Sequence, residues 1–338
     1  MAFSILYLVA AFGGGILGAA IGGLPVFILC GVAAVIGAGI AAATGDATFS
    51  NLVAWGPVLG PQVSFAGGAA AAVYAMKKGK LASGRDIASA LLGLNSPDVL
   101  LVGGVFGALG YVLQWAFANL PAIGDLGFTN PIALSIVVNA IIARVLFGKT
   151  GVFGKVREGD NRWRASEVGA WLPWLSAPLQ LLVVGLGFGI VISYSTVEAP
   201  ALAGLWFGVA TVSLFFLQFG VKVPVWHHIA LSAELVIAAA GGDIWWGVAF
   251  ALLAVFLGEF YAMLFTAHGD SHIDPPSATL FTTYTIMALL KVAGVFAISG
   301  VGSLVIALVV GVAGYGILTA MKAGKNTGAD VTEPVVVS

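Results

Sequence analysis

Nine consecutive residues, His268-Gly269-Asp270-Ser271-His272-Ile273-Asp274-Pro275-Pro276, hold two of the four histidines of this chain together with two aspartates, between strongly apolar stretches. Ionisable groups placed between hydrophobic segments are costly, and they point to function by default. The pairs His268/His272 and Asp270/Asp274 are spaced i,i+4, which on a helix would bring each pair to one face. Such a face suits a metal ion, imidazole for zinc-like ions and carboxylate for harder ones. Gly269 and the Pro275-Pro276 pair oppose a continuous helix. Asp274 then reads more simply as a helix N-cap, with Pro275 as the first helical residue. His268 and His272 remain metal candidates and Asp270 a coupling or gating candidate, against the plainer reading of a solvated loop.

The other two histidines, His227 and His228, follow Pro224, with Glu234 further along the same apolar run. An imidazole exchanges protons near neutral pH, so this group suits solute binding (His227, His228) and proton coupling (Glu234). Adjacent side chains on a helix point about 100° apart, so at most one of the two histidines faces a given cavity. Glu259 and Lys291 each fall inside an apolar run, where an unpaired charge costs at least ~2.5–3.5 kcal/mol. Either they pair with each other, or Glu259 is a proton or cation site and Lys291 a gate. In the first half of the chain, Trp55 to Gly68 contains two Gly/Pro breaks that free backbone groups, and Gln62 and Ser64 there are candidate cavity-lining residues. A short loop leading into a Pro-initiated helix accounts for the same residues without a site.

These groups are embedded in a chain of 338 residues that is 60% hydrophobic and only 9% charged, with a mean hydropathy of +1.05. A soluble domain would carry roughly 25% charged residues, so this is the composition of an all-α polytopic membrane protein. The 47 glycines follow no collagen period and imply close helix packing through small residues. A net charge of −1 excludes a nucleic-acid partner on electrostatic grounds. Cys30 is the single cysteine, which excludes an internal disulfide and a cysteine-based zinc site. The first residues lack the basic start of a secretory signal and read as an uncleaved first helix.

Eleven apolar runs of about membrane length are expected, near 3–20, 23–43, 58–76, 97–118, 131–147, 173–194, 200–219, 225–240, 244–266, 277–298 and 302–321. Basic residues cluster after the third run (Lys77, Lys78, Lys80, Arg85) and after the fifth (Arg144, Lys149, Lys155, Arg157, Arg162, Arg164), with Lys322 and Lys325 after the eleventh. The positive-inside rule puts these connections in the cytoplasm, the N-terminus outside and the C-terminus inside. This places the protein in a plasma or inner membrane.

The chain also carries an internal repeat. From Asp98 to Gly124 and Asp125 the offsets are 26 and 27, and they are again 26 and 27 from Asp243 to Gly269 and Asp270. Asn130-Pro131 answers Asp274-Pro275 with one residue of slippage, and the Pro61 region answers the Pro224 region loosely. At an offset of 16 beyond each leading aspartate, Gln114 corresponds to Glu259, which makes both solute-binding candidates. Five crossings per half would insert the second half upside down, with the eleventh helix added.

The expected divisions are a first repeat at 1–148, a cytoplasmic connection at 149–172, an inverted second repeat at 173–299, an additional helix at 300–322 and a disordered polar tail at 323–338. This plan resembles that of inverted-repeat secondary transporters, whose sites lie where broken helices of the two halves meet. The resemblance implies a permease for a small solute or cation, with proton coupling open, and no enzymatic activity. A slight excess of acids (Glu234, Glu259, Asp98, Asp243) over bases in the apolar runs leans towards a cation. An ion channel on the same repeat and a membrane-embedded metal enzyme remain as alternatives. No cofactor is expected beyond the candidate metal ion; the partners are the lipid bilayer and the solute, and a homo-oligomer stays open.

Overall fold

A computed structural model describes residues 2–166 and 169–324, and in it each of the eleven apolar runs forms an α-helix. In order they are α1 (Ile5–Ile21), α2 (Gly23–Thr44), α3 (Ser64–Lys77), α4 (Pro97–Ala118), α5 (Pro131–Phe147), α6 (Pro178–Glu198), α7 (Leu205–Ser213), α8 (His227–Ala239), α9 (Ile244–Tyr261), α10 (Pro275–Val292) and α11 (Val301–Met321). Five of these, α2, α4, α6, α9 with its following turn, and α11, are long and apolar enough to cross a membrane; α1, α5, α7 with its following turn, and α8 are shorter apolar helices. On α6, Leu179, Val183, Leu186 and Ile190 form an exposed apolar stripe at helical spacing, and Val301, Val305, Leu308 and Val312 do the same on α11. Lipid satisfies such stripes and water does not. Most of the polar tail expected at 323–338, with Lys325, lies outside the described residues.

Local chemistry fixes the helix starts. Asn130 caps α5 by accepting from the Ala133 N–H at 3.0 Å, and Asp274 caps α10 by accepting from the Ser277 N–H at 2.8 Å, each followed by proline as first helical residue. Asp243 caps α9 through the Trp245 N–H at 2.9 Å, whereas Asp98 lies inside the first turn of α4, whose cap is Ser96. The third helix starts later than its apolar run. Pro61 has no N–H to give, and the Ser64 hydroxyl turns back to the Leu59 carbonyl at 2.9 Å, so residues before Ser64 stay in turns. α8 begins at the same remove from Pro224 as α3 does from Pro61.

The helices pack in a recurring pattern. In the first half α1 lies on α3 and α4, α5 on α3 and α4, and α2 on α3; in the second half α6 lies on α8 and α9, α10 on α8 and α9, and α7 on α8. Between the halves, α2 packs on α7 and α5 on α10. Glycine permits the closest of these approaches: a Cβ on Gly15 of α1 would overlap the Gly103 carbonyl of α4, and one on Gly18 would overlap the Ser64 carbonyl of α3.

Hydrogen bonds identify the two ends of the bundle. At one end the basic connections meet: Arg85 donates to the Gly169 and Ala170 carbonyls, both at 3.2 Å, the Lys155 N–H donates to the His268 carbonyl at 2.9 Å, and Lys322 to the Ser176 carbonyl at 2.6 Å. At the other end the Ser4 N–H donates to the Tyr111 hydroxyl at 2.8 Å, Lys291 pairs with Asp125 at 2.7 Å, and the Gly300 N–H donates to Asp243 at 3.1 Å. Arg144 is not part of the basic connection expected after the fifth run; it sits within α5 and is fully buried.

Gly15→Val should therefore lower the thermal midpoint of the detergent-purified protein, in keeping with an overpacking cost of ~1–3 kcal/mol. Gly13→Ala, whose added Cβ meets nothing within 4 Å, should leave it unchanged. Tryptophan fluorescence during heating reads both.

Candidate functional site

Two cavities approach each other inside the bundle. The larger, ≈ 760 Å³, opens at the basic end and is walled by the connections around Arg85, Lys155 and Arg157, by Trp171 and Trp174, and by the break before α10. The smaller, ≈ 200 Å³, is bounded by Trp55, Asn130, Phe207, Leu231 and Leu235. Five residues line both, and this shared layer is the partition: Phe27, Pro61, Ile136, His227 and Ser277. They come from α2, the turn before α3, α5, α8 and α10, and hence from both halves of the chain.

His227 is the polar centre of the partition. It opens α8, its ring packs edge-on against Phe27 at 4.9 Å and Phe207 at 5.8 Å, and its Nδ1 is buried with no hydrogen-bond partner among the described residues. Phe27 in turn leans on Phe65 at 5.5 Å, so an aromatic layer surrounds the imidazole. His228 points away from both cavities, with its Nε2 against Gly258 of α9.

The break between α9 and α10 supplies one wall. After α9 a π-helical turn, Ala262–Thr266, leads into non-helical residues 269–274. The i,i+4 faces that a helix would have made are therefore absent. His268 Nε2 meets the Arg162 carbonyl at 3.0 Å, while His272 Nε2 meets Asp274 Oδ1 at 3.1 Å. Among the described residues no group of three His, Cys, Asp or Glu side chains is placed to hold a metal ion. Asp270 accepts from the Lys149 N–H at 2.5 Å and the Thr150 hydroxyl at 2.8 Å, tying the break to the chain after α5.

Arg144, which sequence reasoning had counted as a topology signal, holds this wall. Its Nε donates to the Ser271 hydroxyl at 2.7 Å and its Nη1 to the Phe265 and Val152 carbonyls at 2.6 and 3.0 Å, while Nη2 donates to the Ser271 carbonyl. The only signal in the sequence was its position, one turn before the end of an otherwise apolar run. Arg85 was likewise read only as a loop charge. Burial, with Arg157 nearby, pushes its guanidinium down to about 10, which leaves it charged at neutral pH. Burial also lowers the basicity of the His268 imidazole.

The remaining candidates fall elsewhere. Gln62 and Ser64 are buried behind the partition, and only their neighbours Pro61 and Phe65 reach the large cavity. Gln62 Nε2 donates to the Trp55 carbonyl and to Gln114 Oε1, both at 2.9 Å, so the two amides clamp the turn before α3 onto α4. Glu234 reaches the start of α7, where it accepts from the Trp206 N–H at 3.2 Å. The pairing considered for Glu259 and Lys291 does not form: Glu259 pairs with Lys322 beyond α11, and Lys291 with Asp125 at the opposite end. Their runs are antiparallel neighbours whose charged residues sit near opposite ends, which an apolar run does not reveal.

The fold and cavities define a multi-pass helical membrane protein. The chain belongs to a family described as a family of unknown function, DUF7973, which matches residues 1–161 and again residues 154–305. The double match hints at a repeat. Neither a curated protein nor a solved structure matches the chain.

Arg144→Met should destabilise the protein by about 3 kcal/mol or more, since the break carbonyls lose a charged donor while remaining buried; equilibrium unfolding in mixed micelles reads the loss. For His268 the folded protein takes up a proton less readily than the unfolded chain, so its contribution is present above the ordinary histidine value of about 6.5 and is lost as pH falls through it. His268→Gln should accordingly show a smaller fall in thermal midpoint between pH 7 and pH 5 than the parent protein.

Proposed function

We propose that this protein is a secondary transporter or permease, moving a small solute across the membrane by exposing the partition at His227 first to one cavity and then to the other. The observation that supports the reading is the layer of five side chains, drawn from both halves, that two adjoining cavities share. A carrier needs that arrangement, one barrier shared by two elements that can move against each other.

The repeat reading supports it. With α1 to α5 equivalent to α6 to α10, the packing pattern repeats, and the contacts between halves join equivalent helices, α2 with α7 and α5 with α10. Such self-matching contacts are the signature of a two-fold relation. The equivalent residues Asp98 and Asp243 make their contacts at opposite ends, Asp98 with Lys78 of the basic end and Asp243 with Gly300 of the other. An inverted repeat over 1–148 and 173–299, joined by 149–172 and followed by the added helix at 300–322, accounts for these facts. In the corresponding topology the basic end is cytoplasmic, the N-terminus lies outside, and the larger cavity gives the cytoplasm-open state.

His227 is the residue best placed to couple solute movement to a proton, being the one titratable side chain among the described residues that borders both cavities. The four acids behind the lean to a cation, Glu234, Glu259, Asp98 and Asp243, line neither cavity. A channel would use the same two cavities but without the partition.

The test uses single cysteines in a Cys30→Ser background. Under the permease reading, an impermeant maleimide labels Ser83→Cys, in the larger cavity, only from the cytoplasmic side, and Leu231→Cys, in the smaller, only from outside, while planar bilayers show no unitary currents. Labelling of both positions from both sides together with unitary conductance steps would replace the permease with a channel.

A further inference from the structure

We infer that the solute is a small zwitterion with an apolar side group, of the amino-acid kind. Its two charges are held in the larger cavity, between Arg85, Lys155 and Arg157 on the connections and Asp270 and Asp274 at the break before α10, and its apolar group lies towards the smaller cavity. This rests on the permease reading of the same cavities. Two independent features lead to it.

The first is the balance of charge in the larger cavity. Arg85, Lys155 and Arg157 line it, and so do Asp86, Asp270 and Asp274. These groups do not cancel by pairing. Among the described residues, the ion pairs of a carboxylate with a lysine or arginine are Lys78–Asp98, Lys291–Asp125 and Lys322–Glu259, all outside this lining. Neutral donors orient two of the carboxylates and leave them charged: Asp86 accepts from the Ala88 and Ser89 N–H groups at 3.1 and 2.9 Å, and Asp270 from the Lys149 N–H and the Thr150 hydroxyl. Asp274 accepts from the Ser277 N–H at 2.8 Å, with the His272 ring beside it. Arg144 stands behind Asp270, outside the lining, and its donors are taken by the break.

The signs are also sorted by wall. Arg85 is held by the Gly169 and Ala170 carbonyls with Arg157 in electrostatic reach, whereas Asp270 and Asp274 stand on the break. The two walls adjoin, since Gly84 forms a parallel β-bridge with Ser271. An ion of either sign entering here is attracted by one wall and repelled by the other. A solute that carries both charges gains from each.

The second feature is the smaller cavity. Among the described residues no charged side chain lines it, and Trp55, Ile132, Phe207, Leu231, Leu235 and Leu280 give it an apolar wall. Two of its polar residues are already engaged: Asn130 accepts from the Ala133 N–H at 3.0 Å, and the Ser277 hydroxyl donates to Asp274 at 2.6 Å. The third, His227, is enclosed by Phe27 and Phe207. A charge placed there would lose its water with nothing to replace it, while an apolar group gains by leaving water. The volume of ≈ 200 Å³ equals about seven waters at ~30 Å³ each, room for one side group and not for a long chain. The larger cavity, ≈ 760 Å³, lies within the ~300–1,000 Å³ usual for small-molecule sites.

The experiment uses the full chain in detergent and scintillation-proximity binding of labelled L-leucine and L-phenylalanine. At least one of the two is expected to bind saturably. Competition then separates the parts of the solute: glycine lacks the apolar group, 4-methylpentanoate the ammonium and isoamylamine the carboxylate, and each should compete at least tenfold more weakly than leucine. Leu231→Trp, which fills the smaller cavity, should raise the Kd tenfold or more, as should Arg157→Gln in the larger. Leu186→Trp, on the exposed face of α6, should leave it within twofold. If Leu231→Trp does not fold, Leu235→Phe serves in its place. Absence of saturable binding by both amino acids, competition by glycine or a singly charged analogue equal to that of leucine, or an unchanged Kd in the cavity-filling variant would overturn the inference. Uptake into proteoliposomes separates the two readings: amino-acid binding without uptake removes the permease and keeps the site, whereas saturable uptake of another solute without amino-acid binding keeps the permease and removes the site.

Discussion

The buried guanidinium of Arg144 is the interaction on which the rest of the architecture depends. A charge of that size taken out of water is tolerated only where its donors are used and its charge is answered. Here the donors are used by groups that themselves need partners. The break between α9 and α10 leaves the Phe265 and Ser271 carbonyls without helical N–H groups, and Arg144 supplies both, with the Ser271 hydroxyl and Val152 carbonyl filling the remainder of the fork. Helix break and buried cation thus resolve each other's deficit. Because Arg144 stands on α5 of the first half and the break belongs to the second, the same bonds join the two halves and fix the wall that carries His268, Asp270 and His272.

That joint lies beside the α5–α10 contact, one of two main helix contacts between the halves of the chain. The other, between α2 and α7, is made through small residues, with a Cβ on Gly31 meeting the Thr211 side chain and one on Gly208 meeting Val35. The two contacts differ in kind. Glycine-rich surfaces between helices have few directional bonds and little side chain to displace, while the Arg144 joint is anchored by several charge-assisted bonds. Relative movement of the halves is therefore easier along α2 and α7, and Phe27 on α2 and Phe207 on α7 are the aromatic groups that such movement would draw away from His227.

The sequence displayed the helices well because membrane-length apolar runs have few alternatives: backbone groups in lipid must be satisfied within the segment. It displayed the caps too, since Asn130-Pro131 and Asp274-Pro275 act locally. The partners of charges were not visible. Glu259 finds Lys322 some sixty residues away and Lys291 finds Asp125 in the other half, pairings set by how α9, α10 and α11 stack and not by any spacing along the chain. Arg144 was hidden for another reason. A single arginine near the end of an apolar run reads as a membrane-edge residue, and only the carbonyls exposed by a break far downstream give it a different role. Gln114 and Glu259 share an offset from Asp98 and Asp243, yet one is bound to Gln62 and the other to Lys322, so matched offsets did not carry matched chemistry.

The same divergence explains why the two breaks differ in what they offer. Ser64 and His227 each stand at the first position of a helix, three residues beyond a proline. In the first half the side chain is short enough to fold back on its own turn, where the hydroxyl bonds to the Leu59 and Gly60 carbonyls. Gln62 and Gln114 then close the rest of that turn against α4. An imidazole cannot fold back in this way, since its rigid ring projects beyond the turn. At α8 it stands among Phe27, Phe207 and His228, none of which offers its Nδ1 a hydrogen bond. The serine hydroxyl is thus satisfied within its own turn, while the ring nitrogen at the start of α8 has no partner among the described residues. Unpaired buried atoms are found in the first half as well, since Gln62 Oε1 and Asn139 Oδ1 have no hydrogen-bond partner among the described residues.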